Sequence, residues 1–171
     1  KEKLMNCGNA KGCFVGFYSL EIVEMIGMAG YDFIIIDNEH GAFSDEQLEN
    51  TIRTAELTGI IPIVRVSYDK SSIQKALDRG AMGIQVPMVN NKADAEAVVE
   101  KIKFPPVGKR GTAFSPRAAR YGFYSGKEYM DAADNNILIV VHIETKEAVD
   151  NIREILSVPG IDVAFFGATD L

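Results

Sequence analysis

Residues 32 to 43 read DFIIIDNEHGAF, and this stretch holds the pattern that decides the fold. Four apolar residues, Phe33 to Ile36, follow one another without polar alternation, which is typical of a short strand covered on both faces. The strand then runs into Asp37, Glu39 and His40, with Gly41 behind them. We therefore expect a buried strand whose carboxyl end opens on a site.

Similar apolar runs alternate with helical patterns along the rest of the chain. We predict about seven strands, the one at 111–113 being weak: 14–17, 33–37, 62–66, 83–86, 111–113, 138–143 and 163–166. Capping boxes are predicted to begin two helices, one at Ser44 and Gln47 and one at Ser125 and Glu128, and the apolar positions of 149–156 predict a single last helix. Alternating strands and helices imply a parallel sheet.

Polar residues recur where the predicted strands end. They are Asp37 with His40, Arg65, Gln85, His142 with Glu144, and Asp170. In a closed barrel the carboxyl ends of all strands converge on one mouth, whereas an open doubly wound sheet brings only a few of them together. The sequence therefore favours an α/β fold of the (β/α)8 TIM-barrel type, as a single domain over residues 1–171.

Composition excludes several classes of protein. With 171 residues and 47% hydrophobic content, the chain can bury a substantial core. A net charge of −6 and scattered basic residues argue against nucleic-acid binding, so we expect a small-molecule partner. No apolar run is long enough for a membrane span and the amino end lacks a secretory pattern, so we expect a cytoplasmic protein. Cys7 and Cys13 are interpreted as buried or idle thiols.

Glu144 and Asp170 close two successive predicted strands, so a barrel would place both carboxylates on one rim. Two carboxylates with water suit a hard octahedral cation such as Mg²⁺ or Mn²⁺, whose open positions a substrate would fill. The alternative is that both are solvated rim charges, and Glu144 also fits the acidic first turn of a helix.

Two further side chains have alternative interpretations. His40 is either a structural histidine or, with Asp37 accepting a ring N–H, a proton carrier. Arg65 interrupts the apolar strand IPIVRV, where an arginine needs a negatively charged partner. That partner is either a structural carboxylate or an anionic substrate.

Seven blocks occur in order along the chain: IIIDNEHG, PIVRV, KALDRGAMGIQVPMV, FPPVGKRG, RAARYG, HIETKEAVDNI and VPGIDVAFFGATDL. Together they resemble the HpcH/HpaI aldolase family of metal-dependent pyruvate aldolases. Members are typically about half as long again, with an eighth barrel strand. The resemblance therefore implies a TIM barrel truncated after its seventh strand.

The resemblance also implies an activity, a class II aldolase that cleaves a 4-hydroxy-2-oxo acid to pyruvate and an aldehyde through a metal-bound pyruvate enolate. Its IET and G-x-x-D-L motifs assign Glu144 and Asp170 as ligands of Mg²⁺, Mn²⁺ or Co²⁺. His40 and Asp37 are the implied acid–base pair, and Arg65 is the implied contact to the 2-oxo acid.

Substrate contacts are also expected where the chain departs from the family pattern. His142 stands where the family commonly has glutamine, and a neutral imidazole can donate one hydrogen bond to a 2-oxo acid. The backbone N–H groups of Gly167, Ala168 and Thr169 could bind the substrate carboxylate as a small nest, although the family usually has proline near Ala168.

Other functions stay open at this point. One is the acyl-CoA lyase branch of the same superfamily, in the manner of the citrate lyase beta chain. Another is that a chain without its last strand is a non-catalytic fragment or an interaction module. By resemblance, the full-length protein is expected to form a homo-oligomer, often a hexamer.

Overall fold

The computed structural model of the protein describes residues 1, 6, 8–67 and 71–171. Within them, one parallel sheet has its strands in the order β1-β2-β3-β4-β5-β6. The strands are β1 (Gly12–Val15), β2 (Phe33–Asp37), β3 (Ile61–Arg65), β4 (Gly83–Val86), β5 (Leu138–Ile143) and β6 (Val163–Phe166). The spatial order follows the chain order with no reversal, as in a barrel and unlike a doubly wound sheet.

Helices connect the strands. They are α1 (Leu20–Met28), α2 (Asp45–Leu57), α3 (Ser72–Asp78), α4 (Lys92–Ile102), α5 (Gly126–Asn136), α6 (Lys146–Asp150) and α7 (Ile152–Leu156). A 3-10 segment, Arg117–Gly122, lies in the long connection between α4 and α5. In the part of the chain that the structure describes, no helix is long and apolar enough to cross a membrane.

The sheet curls around its inner face. The rings of Phe14 in β1 and Phe165 in β6 meet edge to face with their centroids 5.7 Å apart, although these strands are the two edges of the sheet. An inner apolar cluster fills the curve; its members are Ile35, Ile63, Leu138 and Val140, with Phe33, Val163 and Phe165 against them. The six parallel strands thus form a curled half-barrel, as expected for an α/β barrel fold.

The run of isoleucines in β2 is buried on both faces, as the sequence predicts. Ile34 and Ile36 belong to the large core between the sheet and the helices, whereas Ile35 points into the inner cluster. Each such side chain contributes about 1.5–3 kcal/mol when fully buried. A register shift of one residue would exchange the two faces, and it would also move Asp37 off the inner face.

The predicted weak strand at 111–113 is wrong. These residues form no strand, and they lie in the connection between α4 and α5, where the N–H of Arg110 donates to the carbonyl of Lys103 at 2.9 Å. Gly111, Thr112 and Ala113 carry too little apolar surface to add a strand to the sheet. The strand predicted as the seventh, Val163–Phe166, is therefore β6.

Helix starts and ends differ in detail from the prediction. The capping box of Ser44 and Gln47 is present, but Ser125 makes no side-chain cap hydrogen bond. Gly126 beside it has φ +68°, outside the helical range, which changes the geometry of the first turn. The single helix predicted over 149–156 divides at Asn151 into α6 and α7. Cys13 is a free thiol, whereas Cys7 lies outside the described residues.

Candidate active site

Polar side chains gather at the carboxyl ends of β2 to β5, on the inner face of the curled sheet. Asp37 lies opposite Arg65 in the register of β2 and β3, and Arg65 lies opposite Gln85 in the register of β3 and β4. His142 in β5 and Glu144 directly after it complete the group. Because side chains two residues apart in a strand share a face, each of these residues continues the inner row of its strand.

Arg65 and Asp37 form a two-pronged ion pair at the centre of this group. The Nε and Nη2 atoms of Arg65 donate to the two carboxylate oxygens of Asp37 at 2.9 and 2.6 Å. Burial alone would raise the pKa of Asp37, but hydrogen bonds and charge from Arg65 and the backbone N–H groups of Glu39 and His40 bring it below its usual value. Arg65 also packs over the ring of Phe14, with its guanidinium carbon 5.1 Å from the ring centroid. The pair is therefore charged and fixed in place.

The predicted hydrogen bond between the His40 ring and Asp37 is wrong. Asp37 accepts from the backbone N–H of His40 at 3.2 Å and not from its ring, and its two carboxylate oxygens accept from Arg65. The ring is 72% exposed, and its Nε2 lies 3.7 Å from Oε2 of Glu39. That same oxygen lies 3.4 Å from Nε of Arg65. Glu39 thus stands between the two, and the acid–base role of His40 stays a prediction.

Glu144 is a buried carboxylate with a defined orientation. It is 7% exposed; Oε1 accepts the backbone N–H of Met88 at 2.6 Å, and Oε2 lies 2.8 Å from Nδ1 of His142. Gly167 packs directly against it, since a Cβ there would lie 2.9 Å from the Cβ of Glu144 and 3.2 Å from Oε2. Only glycine at position 167 permits this approach.

His142 differs from the expected substrate donor. Its ring is held at both nitrogens, by Glu144 at Nδ1 and by the side-chain amide of Gln85 at Nε2. Only 1% of the residue is exposed, and the ring lies 4.7 Å from that of Phe165. The structure therefore joins His142 to Glu144, and leaves no ring nitrogen pointing at a substrate.

A family model described as HpcH/HpaI aldolase/citrate lyase matches residues 11–171. The chain belongs to this family. A 2-dehydro-3,6-dideoxy-6-sulfogluconate aldolase of Pseudomonas putida is 38% identical over 154 residues, which are 90% of this chain and 60% of the relative. A 2-keto-3-deoxy-L-rhamnonate aldolase of Escherichia coli K12 is 34% identical over 173 residues, which span 100% of this chain and 64% of the relative.

Two solved structures have the same fold. An HpcH/HpaI aldolase/citrate lyase family protein from Burkholderia cenocepacia superposes with a TM-score of 0.92 at 29% identity, over 99% of this chain and 68% of that one. The citrate synthase SbnG superposes with a TM-score of 0.86 at 36% identity, over 99% and 65%. This chain spans 60% and 64% of the length of the two curated relatives named above.

The second expected metal ligand of this HpcH/HpaI chain lies on the neighbouring strand end. Asp170 follows Gly167 by three residues, its side chain is exposed, and its N–H donates to the carbonyl of Gly167 at 3.2 Å. Among residues 8–67 and 71–171 no group of three or more His, Cys, Asp or Glu side chains is arranged to hold a metal. The protein would thus offer two carboxylates, with the other positions left to water and substrate.

The carboxylate of Glu144 keeps the acceptor sites that a hard divalent cation would need. Each oxygen of Glu144 accepts one hydrogen bond, and a carboxylate oxygen has two lone pairs, so each keeps an acceptor site. The predicted nest is less complete: the N–H of Gly167 donates to the carbonyl of Ile143 at 3.1 Å, which leaves the exposed Ala168 and Thr169 as its remaining members.

Arg110 and Arg117, which follow the two prolines of the block FPPVGKRG, lie at the other end of the strands. Arg110 is buried, with Nη2 3.3 Å from Asp78, and Arg117 pairs with Glu56. Both line a cavity of about 850 Å³ with Met82 and Leu138, at the amino ends of β4 and β5. Neither therefore reaches the candidate site.

Sequence reasoning gave no role to three participants: Glu39, Gln85 and the backbone N–H of Met88. Glu39 had a visible signal, an acid directly before the histidine of DNEHG. Gln85 also had one, since a glutamine at an inner position of a central strand needs a buried partner. Met88 had none, because a backbone donor with φ +56° carries no mark in the sequence.

Proposed function

We propose that this chain belongs to a class II aldolase that cleaves a 4-hydroxy-2-oxo acid to pyruvate and an aldehyde. The observation that carries the proposal is the fixed Arg65–Asp37 pair at the same rim as the buried carboxylate of Glu144. Such a rim combines a guanidinium that would bind a 2-oxo acid with a carboxylate that would bind a metal ion. The relatives named as aldolases of 2-keto-3-deoxy and related sugar acids support it.

Arg65 would bind and stabilise the reacting 2-oxo acid. Asp37 holds its Nε and Nη2 atoms, while Nη1 donates to no described residue and is free to bind an oxygen anion. Burial opposes the charged form of Arg65, but the hydrogen bond to Asp37 and the negative charges of Asp37, Glu39 and Glu144 outweigh it and raise the pKa of the guanidinium, so the group stays cationic. A donor already in place when charge develops on the enolate oxygen stabilises the transition state most.

A divalent cation of the Mg²⁺, Mn²⁺ or Co²⁺ type, held by Glu144 and Asp170, would supply Lewis-acid stabilisation of that same negative charge. Glu144 is positioned for this role by two hydrogen bonds, from Met88 and His142. Asp170 is exposed, so it can adjust to the coordination sphere that the cation requires.

His40 is the proposed proton carrier. In cleavage, the 4-hydroxyl group loses its proton to the base, the C3–C4 bond breaks to release the aldehyde, and the electron pair forms the pyruvate enolate. Protonation at C3 then gives the methyl group of pyruvate. The ring of His40 is exposed at the rim, with its Nε2 3.7 Å from the carboxylate of Glu39, so it can reach a substrate hydroxyl group.

Metal-dependent release of pyruvate tests the proposal. The purified protein is incubated with a 4-hydroxy-2-oxo acid, and pyruvate is measured with lactate dehydrogenase. We expect pyruvate in the presence of Mn²⁺, none in excess EDTA, and recovery when Mn²⁺ is added back. Equal release in EDTA would contradict the metal-dependent mechanism, and no release from a panel of such acids would favour a non-catalytic module.

The acyl-CoA lyase alternative draws on the family description, which names citrate lyase beside the aldolases. A citrate lyase from Burkholderia xenovorans superposes with a TM-score of 0.61 at 16% identity. Pyruvate formation that requires no acyl-CoA substrate would separate the aldolase from it.

A homo-oligomer, as in the family hexamer, is a further part of the proposal. Large apolar side chains are exposed where the end of α1 meets the end of α2: Met25, Met28 and Leu57. Such a patch is typical of a surface that another subunit covers. Sedimentation equilibrium should show more than one copy per particle, and a monomer at all concentrations would contradict it.

A further inference from the structure

Gln85 is the most buried polar side chain near the site, and the proposed reaction does not use it. It is 0% exposed and lies on the inner face of β4, opposite Arg65 in β3 and Val140 in β5. Its amide nitrogen contacts Nε2 of His142. Its Oε1 is buried and has no hydrogen-bond partner among the described residues.

The hydrogen bonds around His142 determine where its proton lies. The carboxylate of Glu144 can only accept, so the Nδ1 atom of His142 that faces it at 2.8 Å must be the donor. A neutral ring then has a lone pair at Nε2, and a buried lone pair needs a donor. The amide NH₂ of Gln85 is that donor.

The unpartnered Oε1 of Gln85 indicates that the chain keeps this residue for the contact between its amide nitrogen and Nε2 of His142. A buried acceptor without a partner reduces stability, and an apolar residue at this position would avoid that cost. The reverse orientation of the amide would give Oε1 a partner, but it would require a proton on Nε2 of His142. Gln85 would then no longer donate to the same neutral ring that donates to Glu144.

We propose that Gln85 is a positioning residue: it holds the His142 ring by Nε2, so that Nδ1–H is directed at Oε2 of Glu144 and fixes this carboxylate. Its importance for metal binding rests on the proposed function of Glu144. The effect of Gln85 on the His142 ring does not rest on that function, so the effect on the ring and the effect on metal binding can be tested separately.

Nitrogen-15 NMR of the histidine rings tests the positioning directly. The chain has two histidines, so a histidine-labelled sample gives two ring systems, and a His40→Gln sample assigns them. In mildly alkaline buffer a free imidazole carries one proton. We expect His142 to show a single Nδ1–H tautomer in the wild-type protein. Protonation at Nε2 would overturn the inference, whether or not any variant folds.

Gln85→Met removes the amide at similar side-chain length. Without its anchor at Nε2 the ring should turn away from Glu144, which then no longer selects one tautomer, so we expect a mixture of the two. We expect Mn²⁺ affinity by calorimetry to fall about 10- to 100-fold, as for other groups that orient a metal ligand. Ile84→Val is the matched control, because Ile84 is also 0% exposed in β4 but packs on the outer face. It should reduce the thermal midpoint without changing the tautomer or the affinity.

The outcomes separate the two proposals. If the wild-type protein binds no Mn²⁺ but the tautomer changes in Gln85→Met, the proposed metal role of Glu144 fails and the positioning of His142 by Gln85 stands. If the wild-type protein binds Mn²⁺ and Gln85→Met keeps both the tautomer and the affinity, the positioning role is overturned and the proposed function stands.

Discussion

Replacing Arg65 with lysine separates its structural role from its catalytic one. The substitution keeps a positive charge but removes the planar fork that donates to both oxygens of Asp37, at 2.9 and 2.6 Å. A lysine can replace one of these two hydrogen bonds. It also withdraws Nη1, the donor we assign to the 2-oxo acid.

The expected loss of stability follows from the one hydrogen bond to Asp37 that lysine cannot replace. One charge-assisted hydrogen bond to a group that is mostly buried contributes about 1.5–3 kcal/mol. For a chain of this size each kcal/mol lowers the thermal midpoint by about 2–4 °C, so we expect a decrease of roughly 3–12 °C. Removing one donor to an enolate oxygen should reduce turnover about 10²- to 10³-fold.

The assay measures both quantities on one sample, the thermal midpoint by calorimetry and turnover by pyruvate release. Arg53→Lys is the matched control, because Arg53 donates to Glu49 at 2.8 Å on the outer surface of α2 and is 43% exposed. It should change stability by no more than about 0.5 kcal/mol and leave turnover unchanged. Normal turnover in a destabilised Arg65→Lys protein would refute the catalytic assignment and leave a structural ion pair.

Three further predictions concern the same rim. Glu144→Gln should lower Mn²⁺ affinity strongly by calorimetry while the circular dichroism spectrum is kept, because it removes an anionic ligand at nearly constant volume; unchanged affinity would exclude Glu144 as a ligand. His40→Ala should lower turnover about 10²- to 10⁴-fold with Mn²⁺ affinity preserved, and wild-type turnover would exclude His40 as the base. The pKa of Asp37 lies below its ordinary value, so its stabilising effect is present above about pH 4 and is lost as the pH falls through the folded-state pKa. Asp37→Asn should therefore be less stable than wild type in urea at about pH 7, with a difference that shrinks in acid; a constant difference would contradict the charged pair.

The fold was largely predictable because its main signals are local. The apolar run of β2 and the capping box at Ser44 depend on neighbours within a few residues, and both are found as expected. The false strand at 111–113 failed for the opposite reason: a strand exists only where a partner strand accepts it, and Gly111 to Ala113 have none among the described residues. Ser125 failed as a cap because the backbone of Gly126 sets the first turn.

The site was predictable as a location, but only partly as a set of contacts. Polar residues at strand ends indicated the rim, yet the partner of Asp37 depends on the register that places it opposite Arg65, which is 28 residues away in sequence. The same holds for Gln85 and His142, which are 57 residues apart. Sequence spacing suggested His40 as the hydrogen-bond partner of Asp37, whereas the planar guanidinium of Arg65 fits the carboxylate better.

Exchange of the methyl protons of pyruvate in deuterium oxide tests the central claim most directly, because it requires the enolate and no aldehyde. With Mn²⁺ present, the protein should catalyse incorporation of deuterium into the methyl group, seen as loss of its proton NMR signal, and excess EDTA should stop it. The His40→Ala protein should show greatly reduced exchange. A folded, Mn²⁺-loaded protein that catalyses no exchange above the metal ion alone would contradict the proposed enolate chemistry at this rim.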